Sequence, residues 1–213
     1  VKGASRTDAG VHARAQAVSF STRRVIAARG WVLALNQQLP QDIAVVRAAQ
    51  VPLGYDASRH ALWKRYRYLL HLAPVPDPFL AGRAWRIGYP LDLERMAREA
   101  RSLVGTHDFA AFRSSADRRE TTVRELTEVD VRPSDHGPRC LEIVVTGNRF
   151  LHNMVRIIVG TLVDVGRGQL AAGAMQRALH SRRREDLGMT APASGLYLDH
   201  LELDDRGSDA WPG

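Results

Sequence analysis

Strand-like and helix-like patterns alternate along this sequence, which is compatible with a fold of the α/β class. Residues 64–68 alternate cations with aromatic side chains at a period of two, as a strand with two different faces does. Residues 92–104 carry apolar side chains at helical spacing behind an aspartate that can cap a helix. Residues 122–132 and 139–147 form two strand-like runs around a turn rich in proline.

The charge of the chain favours a polyanionic partner. Its net charge is +7 with a sequence pI near 10.3, and all but two of its 30 basic residues are arginines. Arginine suits bidentate phosphate contacts and stacking on bases. An arginine-rich composition can also reflect a G+C-rich genome, so charge alone supports nucleic acid only mildly. The 213 residues could form one large domain or two small ones.

A cytoplasmic location without membrane contact is expected. No apolar run approaches the roughly 20 residues that span a bilayer. A single cysteine, Cys140, rules out an internal disulfide framework and fits a reducing compartment. Because Cys140 begins an apolar run, we expect a packed residue rather than a reactive thiol.

The first element is a small, glycine-flanked loop over residues 3–10, followed by a strand predicted over residues 15–21. Asp8 stands in this loop, with Arg6 two residues before it and His12 four residues after it. Loops held by rigid strands often carry reactive side chains. From the residues alone, an ordinary turn in which Asp8 bonds its own backbone is the favoured interpretation. A metal site on Asp8 and His12 is a weaker one, because two ligands of mixed type do not complete a shell.

A helix, a short strand and a turn are predicted next. The spacing of apolar side chains predicts the helix over residues 25–39 and the strand over residues 43–46. Proline and glycine mark the turn at residues 52–54.

The strand at residues 64–68 places Tyr66 and Tyr68 on one face and its two arginines on the other. In a functional interpretation, one aromatic ring stacks on a base while the arginines meet phosphate. From the residues alone, an amphipathic strand with both tyrosines in the core is favoured.

A proline-rich segment over residues 73–78 is the best candidate for a domain boundary. Beyond it, Asp92 is predicted to cap a helix that ends near Val104. His107 and Asp108 invite a general-base interpretation, but the phenylalanines that follow favour a structural corner.

One cation interrupts a mostly apolar helix that is predicted from residue 148 to about residue 165. A buried Arg156 would need a partner, because an unpaired charge in the interior is costly. The alternative is a side chain that extends to the surface. A short helix over residues 171–180 and a last strand ending at Leu203 follow, and the tail from Asp204 is expected to be disordered.

The loop around Asp8 carries an unbroken motif that is far more specific than a short spaced pattern. Residues 5–13, Ser-Arg-Thr-Asp-Ala-Gly-Val-His-Ala, resemble the signature of the TruA family of tRNA pseudouridine synthases. Further matches to the family follow in order over nearly the whole chain, at residues 36–45, 65–68, 105–112, 150–160 and 191–198.

The resemblance implies an α/β fold in which two sub-domains share one mixed, largely antiparallel sheet, with helices on one face and an RNA cleft on the other. The N-terminal sub-domain would span residues 1–75 and carry the catalytic loop, the C-terminal one would span residues 76–203, and residues 204–213 would form the tail. The family's Tyr-Asp-Gly…Gly-Trp-Gln segment is not found before the motif. We therefore expect a fragment that lacks an N-terminal strand and helix and exposes the apolar surface they would cover.

The resemblance also implies an activity. Family members isomerise uridine to pseudouridine at positions 38 to 40 of the tRNA anticodon stem-loop, without a metal or other cofactor, and act as homodimers. Asp8 would be the catalytic residue, and Arg156 would pair with it and keep it ionised. Tyr66 would lie in the uridine pocket, Arg6 would help to hold the flipped nucleotide, and Leu196 would pack against the base. Whether Asp8 acts as nucleophile or as base stays open.

Two other classes of function stay open. A non-catalytic RNA-binding module would have the same fold and charge without turnover. A hydrolase that uses Asp8 and His12 would need a metal or a water-activating partner that the sequence does not reveal.

Overall fold

The computed structural model describes residues 1–204 and 209–210, which fall into two compact units. The smaller unit contains Val1–Ser5, Ala17–Ala61 and Leu203–Gly213, and the larger unit contains Arg6–Gln16 and Leu62–Glu202. The division into sub-domains at residue 75 stays a prediction. Of the tail that is predicted to be disordered, residues 205–208 and 211–213 lie outside the described residues.

The described residues form strands and α-helices in a mixed order, which confirms the predicted α/β class. In chain order these elements are β1 (Lys2–Gly3), β2 (His12–Ala13), β3 (Val18–Ser19), α1 (Ala28–Asn36), β4 (Ala49–Gln50), β5 (Ala61–Leu72), β6 (Trp85–Ile87), α2 (Leu93–Arg101), β7 (Gly105–Asp108), β8 (Val123–Pro133), β9 (Cys140–Gly147), α3 (Met154–Gly166), α4 (Ala174–Ser181), β10 (Leu196–Leu203) and β11 (Asp209–Ala210). None of these helices is long and apolar enough to span a bilayer.

The larger unit is built on one seven-stranded sheet. Its strand order is β2-β10-β5-β9-β8-β7, and β6 pairs with β5. The pairs β5/β9, β8/β9 and β7/β8 are antiparallel, whereas β2/β10 and β5/β6 are parallel. The sheet is therefore mixed and largely antiparallel, as the resemblance implies, and β8 and β9 form the predicted hairpin.

Strand β5 is amphipathic, as its alternating sequence predicts. Tyr66 and Tyr68 are buried in the core, which confirms the interpretation favoured from the residues. On the other face, Arg67 forms ion pairs with Glu142 and Asp199. Since its side chain is mostly buried by these internal partners, Arg67 is not available to bind phosphate.

Helices α2 and α3 follow the predicted patterns with shorter ends. The Asp92 carboxylate caps α2 by accepting a hydrogen bond from the Arg95 amide at 2.9 Å. The helix ends three residues before Val104, because its last turn tightens into bonds that span three residues instead of four. In α3, every residue except Arg156 is buried, and the left-handed backbone of Asn153 (φ 63°) sets the start of the helix later than predicted.

Two smaller predictions for the larger unit are confirmed. Cys140 is buried at the start of β9, and burial raises the pKa of its thiol, so it is a packed residue. The segment around His107 and Asp108 is a structural corner. The His107 ring lies 3.1 Å from the Val104 carbonyl oxygen, and the Asp108 carboxylate accepts a hydrogen bond from the Ala110 amide.

In the smaller unit, the strand predicted over residues 43–46 is wrong. The Asn36 side chain donates to the Val45 carbonyl oxygen at 2.8 Å and accepts from the Val45 amide at 2.7 Å. These two bonds occupy the backbone groups that a partner strand would use. Helix α1 is shorter than the predicted helix over residues 25–39, and the predicted turn at residues 52–54 is present.

Several large apolar side chains of the smaller unit are exposed. They include Val18, Phe20, Val25, Leu33 and Val46. Val18 and Phe20 share one face of the predicted strand at residues 15–21, of which β3 is the paired part.

The core of the larger unit includes an unusually close contact between α3 and the segment that precedes β10. A Cβ atom added at Gly160 would lie 1.9 Å from the Met189 carbonyl oxygen. Thr161 and Asp164 accept hydrogen bonds from the amides of Gly188 and Met189 on the same side of α3. A glycine at position 160 therefore lets this backbone lie directly on the helix.

We expect Gly160→Ala to lower the free energy of unfolding by about 2 kcal/mol, because the added methyl group overpacks the contact. This loss opposes the gain of about 1 kcal/mol that alanine normally brings to a helix. Urea denaturation measures the difference. Gly88→Ala is the matched control, since its added Cβ would meet the flexible end of the Arg86 side chain. Equal stability of Gly160→Ala and wild type would contradict the close contact.

Candidate active site

Asp8 lies in a short turn that β2 anchors to the main sheet. The Val11 amide donates to the Asp8 carbonyl oxygen at 3.0 Å, and Gly10 has the left-handed backbone (φ 82°) that the turn requires. Directly after the turn, His12 pairs with Tyr197 of β10. The turn that the residues predict is therefore present, but the Asp8 carboxylate is directed to other side chains.

The partner of the Asp8 carboxylate is Arg156, the one residue of α3 that is not buried. Its Nη1 lies 3.2 Å from Asp8 Oδ2 and 3.0 Å from Asn153 Oδ1, and its Nε donates to the Ala191 carbonyl oxygen at 2.8 Å. The Arg156 side chain is 19% exposed, so it does not extend into solvent. The ion pair that the resemblance implies is thus formed in the structure.

A second side chain, which the sequence analysis did not identify, also contacts Asp8. His152 Nε2 lies 3.3 Å from Asp8 Oδ1, so each carboxylate oxygen has its own partner. His152 lies four residues before Arg156, within the matched segment at residues 150–160. Its place in a segment that matches the family could have indicated a functional role, but nothing in the sequence spacing links His152 to Asp8. With two partners, the orientation of the Asp8 carboxylate is fixed, and a third of the side chain is still exposed to a ligand.

The backbone of His152 is itself held by a buried carboxylate. Asp117 accepts hydrogen bonds from the His152 amide at 2.7 Å and from the Arg119 amide at 3.1 Å, and it pairs with the Arg119 guanidinium. Burial acts to raise the pKa of Asp117, but these hydrogen bonds and the nearby arginines outweigh it and hold the pKa below its usual value. The Ser114 amide also donates to the His152 carbonyl oxygen.

The backbone that accepts from Arg156 is positioned by a tyrosine. The Tyr68 hydroxyl donates to the Pro192 carbonyl oxygen at 2.7 Å, next to the Ala191 carbonyl. Burial raises the pKa of Tyr68, so its hydroxyl stays protonated and remains a donor. A Cβ at Gly195 would lie 2.6 Å from the Tyr68 ring, which is why the chain passes this ring with a glycine.

The family of the chain follows from comparison with known proteins. A family model described as tRNA pseudouridine synthase matches residues 100–204. A tRNA pseudouridine synthase A from Acetivibrio thermocellus is 43% identical over 196 residues, which cover 92% of this chain and 79% of that protein. The chain belongs to the tRNA pseudouridine synthase A family. The relative from Moorella thermoacetica is 44% identical over 199 residues (93% and 80% coverage), and that from Bacillus subtilis is 39% identical over 204 residues (96% and 81% coverage).

The other predicted site residues of this family member have different surroundings. Tyr66 is 7% exposed and its ring meets Phe150 edge to face at 4.9 Å. Leu196 is buried in the hydrophobic core at the start of β10. Arg6 is exposed, and within the described residues no ion pair joins it to Asp8. The structure thus brings together Asp8 and Arg156, whereas the roles predicted for Tyr66, Leu196 and Arg6 stay predictions.

The pair of Asp8 and His12, which the metal-site and hydrolase interpretations require, is not formed. The His12 ring stacks on Tyr197 with centroids 4.7 Å apart, and its Nε2 lies 2.9 Å from the Gly82 carbonyl oxygen. In the described part of the chain, no group of three or more histidine, cysteine, aspartate or glutamate side chains could hold a metal ion. His12 therefore contributes to holding the segment around Gly82.

We expect the stabilising effect of Asp117 to disappear in acid. Its pKa in the folded protein lies below the unfolded value of about 4. The ionised carboxylate therefore stabilises the fold fully above that value, and less and less as the pH falls through the lower folded pKa.

Urea denaturation of wild type and Asp117→Asn tests this dependence. Near pH 6 the variant should be less stable by about 1 to 3 kcal/mol, the usual effect of losing hydrogen bonds to a charged group. Near pH 3 the difference should shrink. Asp135→Asn, an exposed position in the turn after β8, is the matched control. A difference for Asp117→Asn that stays constant from pH 6 to pH 3 would show that its charge is not the source of the effect.

Proposed function

We propose that this protein isomerises uridine to pseudouridine in tRNA and that Asp8 is the catalytic residue. The observation that supports this proposal most directly is the Asp8 carboxylate, which has Arg156 on one oxygen and His152 on the other. Membership of the tRNA pseudouridine synthase A family supports the reaction class.

The charges around Asp8 suit a carboxylate that must react in its ionised form. An opposite charge within about 4 Å favours the ionised state of a carboxylate. Arg156 supplies a permanent positive charge, and His152 adds a second one when it is protonated. Because the carboxylate is also partly exposed, it can act as a nucleophile or a base towards a nucleotide that enters the site.

The reaction breaks the N1–C1′ bond of uridine and forms a C5–C1′ bond in its place. N1 ends protonated, and the proton on C5 is released to solvent, so atoms balance without a cofactor. The target nucleotide must first leave its stack, at a cost of a few kcal/mol. In this proposal Tyr66 lies in the uridine pocket, Arg6 holds the flipped nucleotide, Arg156 pairs with the Asp8 carboxylate and Leu196 packs against the base.

The substrate and assembly form the finer part of the proposal. We propose that the target lies at positions 38 to 40 of the tRNA anticodon stem-loop and that a cytoplasmic homodimer binds it. The net charge of +7 and the many arginines suit a polyanionic substrate. No metal or other cofactor is part of the proposed reaction.

We expect Asp8→Ala to abolish isomerisation, with a loss of about 10³-fold or more in rate, as for other catalytic groups. The measurement uses the purified protein and unmodified tRNA that carries tritium at uracil C5. Release of tritium into water reports the isomerisation directly, and tRNA binding is measured in parallel.

The outcomes of this experiment separate the classes of function. Release by wild type that vanishes in Asp8→Ala while binding is retained supports the proposal. Release that survives Asp8→Ala would exclude Asp8 as the catalytic residue. Binding of tRNA without release from wild type would favour a non-catalytic RNA-binding module.

We also expect His152 to act as a positioning residue through Asp8. His152→Phe removes the contact to Asp8 Oδ1 and should lower the single-turnover rate about tenfold, as expected for one hydrogen bond to a charged group. His152→Gln retains a donor and should stay within about threefold of wild type. The single-turnover tritium release and the dissociation constant for tRNA are measured separately.

His180→Gln on α4 is the matched control, since its ring contacts the Gln176 carbonyl oxygen of its own helix. If His152 were only structural, both His152 variants would lower the unfolding midpoint alike. Equal single-turnover rates for His152→Gln and His152→Phe would refute the positioning role, because only His152→Gln retains a donor to Asp8.

A further inference from the structure

Four cations gather at one end of the sheet of the larger unit and are called here the cationic cluster: Lys64, Arg119, Arg124 and Arg149. Lys64 of β5 and Leu126 of β8 both pair with Gly147, the last residue of the strand between them. Arg149 lies two residues beyond Gly147, and Arg124 lies two residues before Leu126. Lys64, Arg124 and Arg149 therefore lie at the same end of three neighbouring strands, which are about 4.8 Å apart.

The fourth cation is fixed beside them by its own hydrogen bonds. Arg119 Nη1 donates to the Phe150 carbonyl oxygen at 2.9 Å and lies 3.1 Å from Asp117 Oδ2. The Arg119 carbonyl oxygen in turn accepts from Arg113 Nη1 at 3.2 Å. Arg119 is therefore held in place, although its side chain is about half exposed.

Burial and the repulsion of neighbouring cations both disfavour the charged forms of two members of the cluster. Burial, followed by the charges of Arg119 and Arg149, lowers the pKa of Lys64. Burial, followed by the charge of Arg119, also lowers the pKa of Arg124, against the opposing effect of Asp117.

Arg124 is a buried member of the cationic cluster whose hydrogen-bonding groups are not all satisfied. Its side chain is buried, its Nη atoms donate to the carbonyl oxygens of Val123 and Thr121, and its Nε has no partner within the described residues. Asp117, whose charge acts on Arg124, already accepts from two backbone amides and pairs with Arg119. Like charges held this close together favour a bound anion.

We propose that the cationic cluster binds the phosphodiester backbone of an RNA strand next to the Asp8 site. Phe150, which accepts from Arg119, lies two residues from His152, which contacts Asp8. Two residues span at most about 7 Å of chain. A strand that delivers a nucleotide to Asp8 therefore carries neighbouring phosphates within reach of the cluster. This inference rests on the proposed function, since it takes RNA as the ligand.

The test measures the salt dependence of tRNA binding in the Asp8→Ala background, where binding is independent of turnover. Arg149→Gln and Lys64→Gln should each weaken binding about 5- to 10-fold at 0.1 M salt and lower the slope of log K against log salt by about 0.7 to 0.9, the effect of one lost phosphate contact. The double variant should lower the slope by about twice that amount. The probe is an unmodified tRNA transcript.

Two control variants show whether the lost positive charge of the cluster causes the change in tRNA binding. Arg98→Gln removes an exposed cation of α2 and should leave the slope unchanged, and Arg149→Lys should keep it because the charge is retained. Since like charges repel, Arg149→Gln should not lower the unfolding midpoint of the free protein.

The inference is overturned if the slope for Arg149→Gln and Lys64→Gln equals that for Arg98→Gln, or if Arg149→Lys weakens binding as much as Arg149→Gln. Tritium release by wild type is scored independently. A protein that binds tRNA through the cluster but releases no tritium would refute the proposed activity and leave the phosphate site intact.

Discussion

The ion pair between Arg156 and Asp8 is the interaction on which the site in the larger unit depends. Every other residue of α3 is buried, and an arginine in such a helix needs acceptors because an unpaired interior charge costs several kcal/mol. Its acceptors come from three separate segments, at Asp8, Asn153 and Ala191. One cation therefore fixes the helix start, the loop around Asp8 and the segment before β10 relative to one another.

This arrangement also needs backbone to pass closely, and glycines make that approach possible. Gly160 lets the backbone of Met189 lie directly on α3, and Gly195 lets the chain pass the face of Tyr68. The Tyr68 hydroxyl then holds the carbonyl oxygen next to that of Ala191. Gly160, Gly195 and Tyr68 thus position the Ala191 carbonyl oxygen, which accepts from Arg156 Nε. Substitutions far from Asp8 in sequence can therefore disturb it.

The sequence could predict what depends on local pattern and charge. A cation within an apolar run indicated that Arg156 needs a partner, and Asp92 indicated the start of α2. The strand predicted over residues 43–46 is absent because the Asn36 side chain forms hydrogen bonds with both backbone groups of Val45. Hydrophobic alternation does not reveal this competition. His152 was missed for a different reason. Its contact with Asp8 depends on tertiary packing that no spacing along the chain encodes.

In the proposed function, Asp8 has a difficulty that any carboxylate has when it acts on RNA. An ionised carboxylate repels phosphates, and that repulsion is strong where water is excluded. Arg156 offsets the charge of Asp8 locally, as does His152 when it is protonated, and the cationic cluster lies a short distance along the chain from His152. Asp117 accepts from the amides of both Arg119 and His152, so one buried carboxylate positions a member of the cluster and a partner of Asp8 together. In the proposed function, an RNA strand that approaches Asp8 therefore meets positive charge beside the carboxylate.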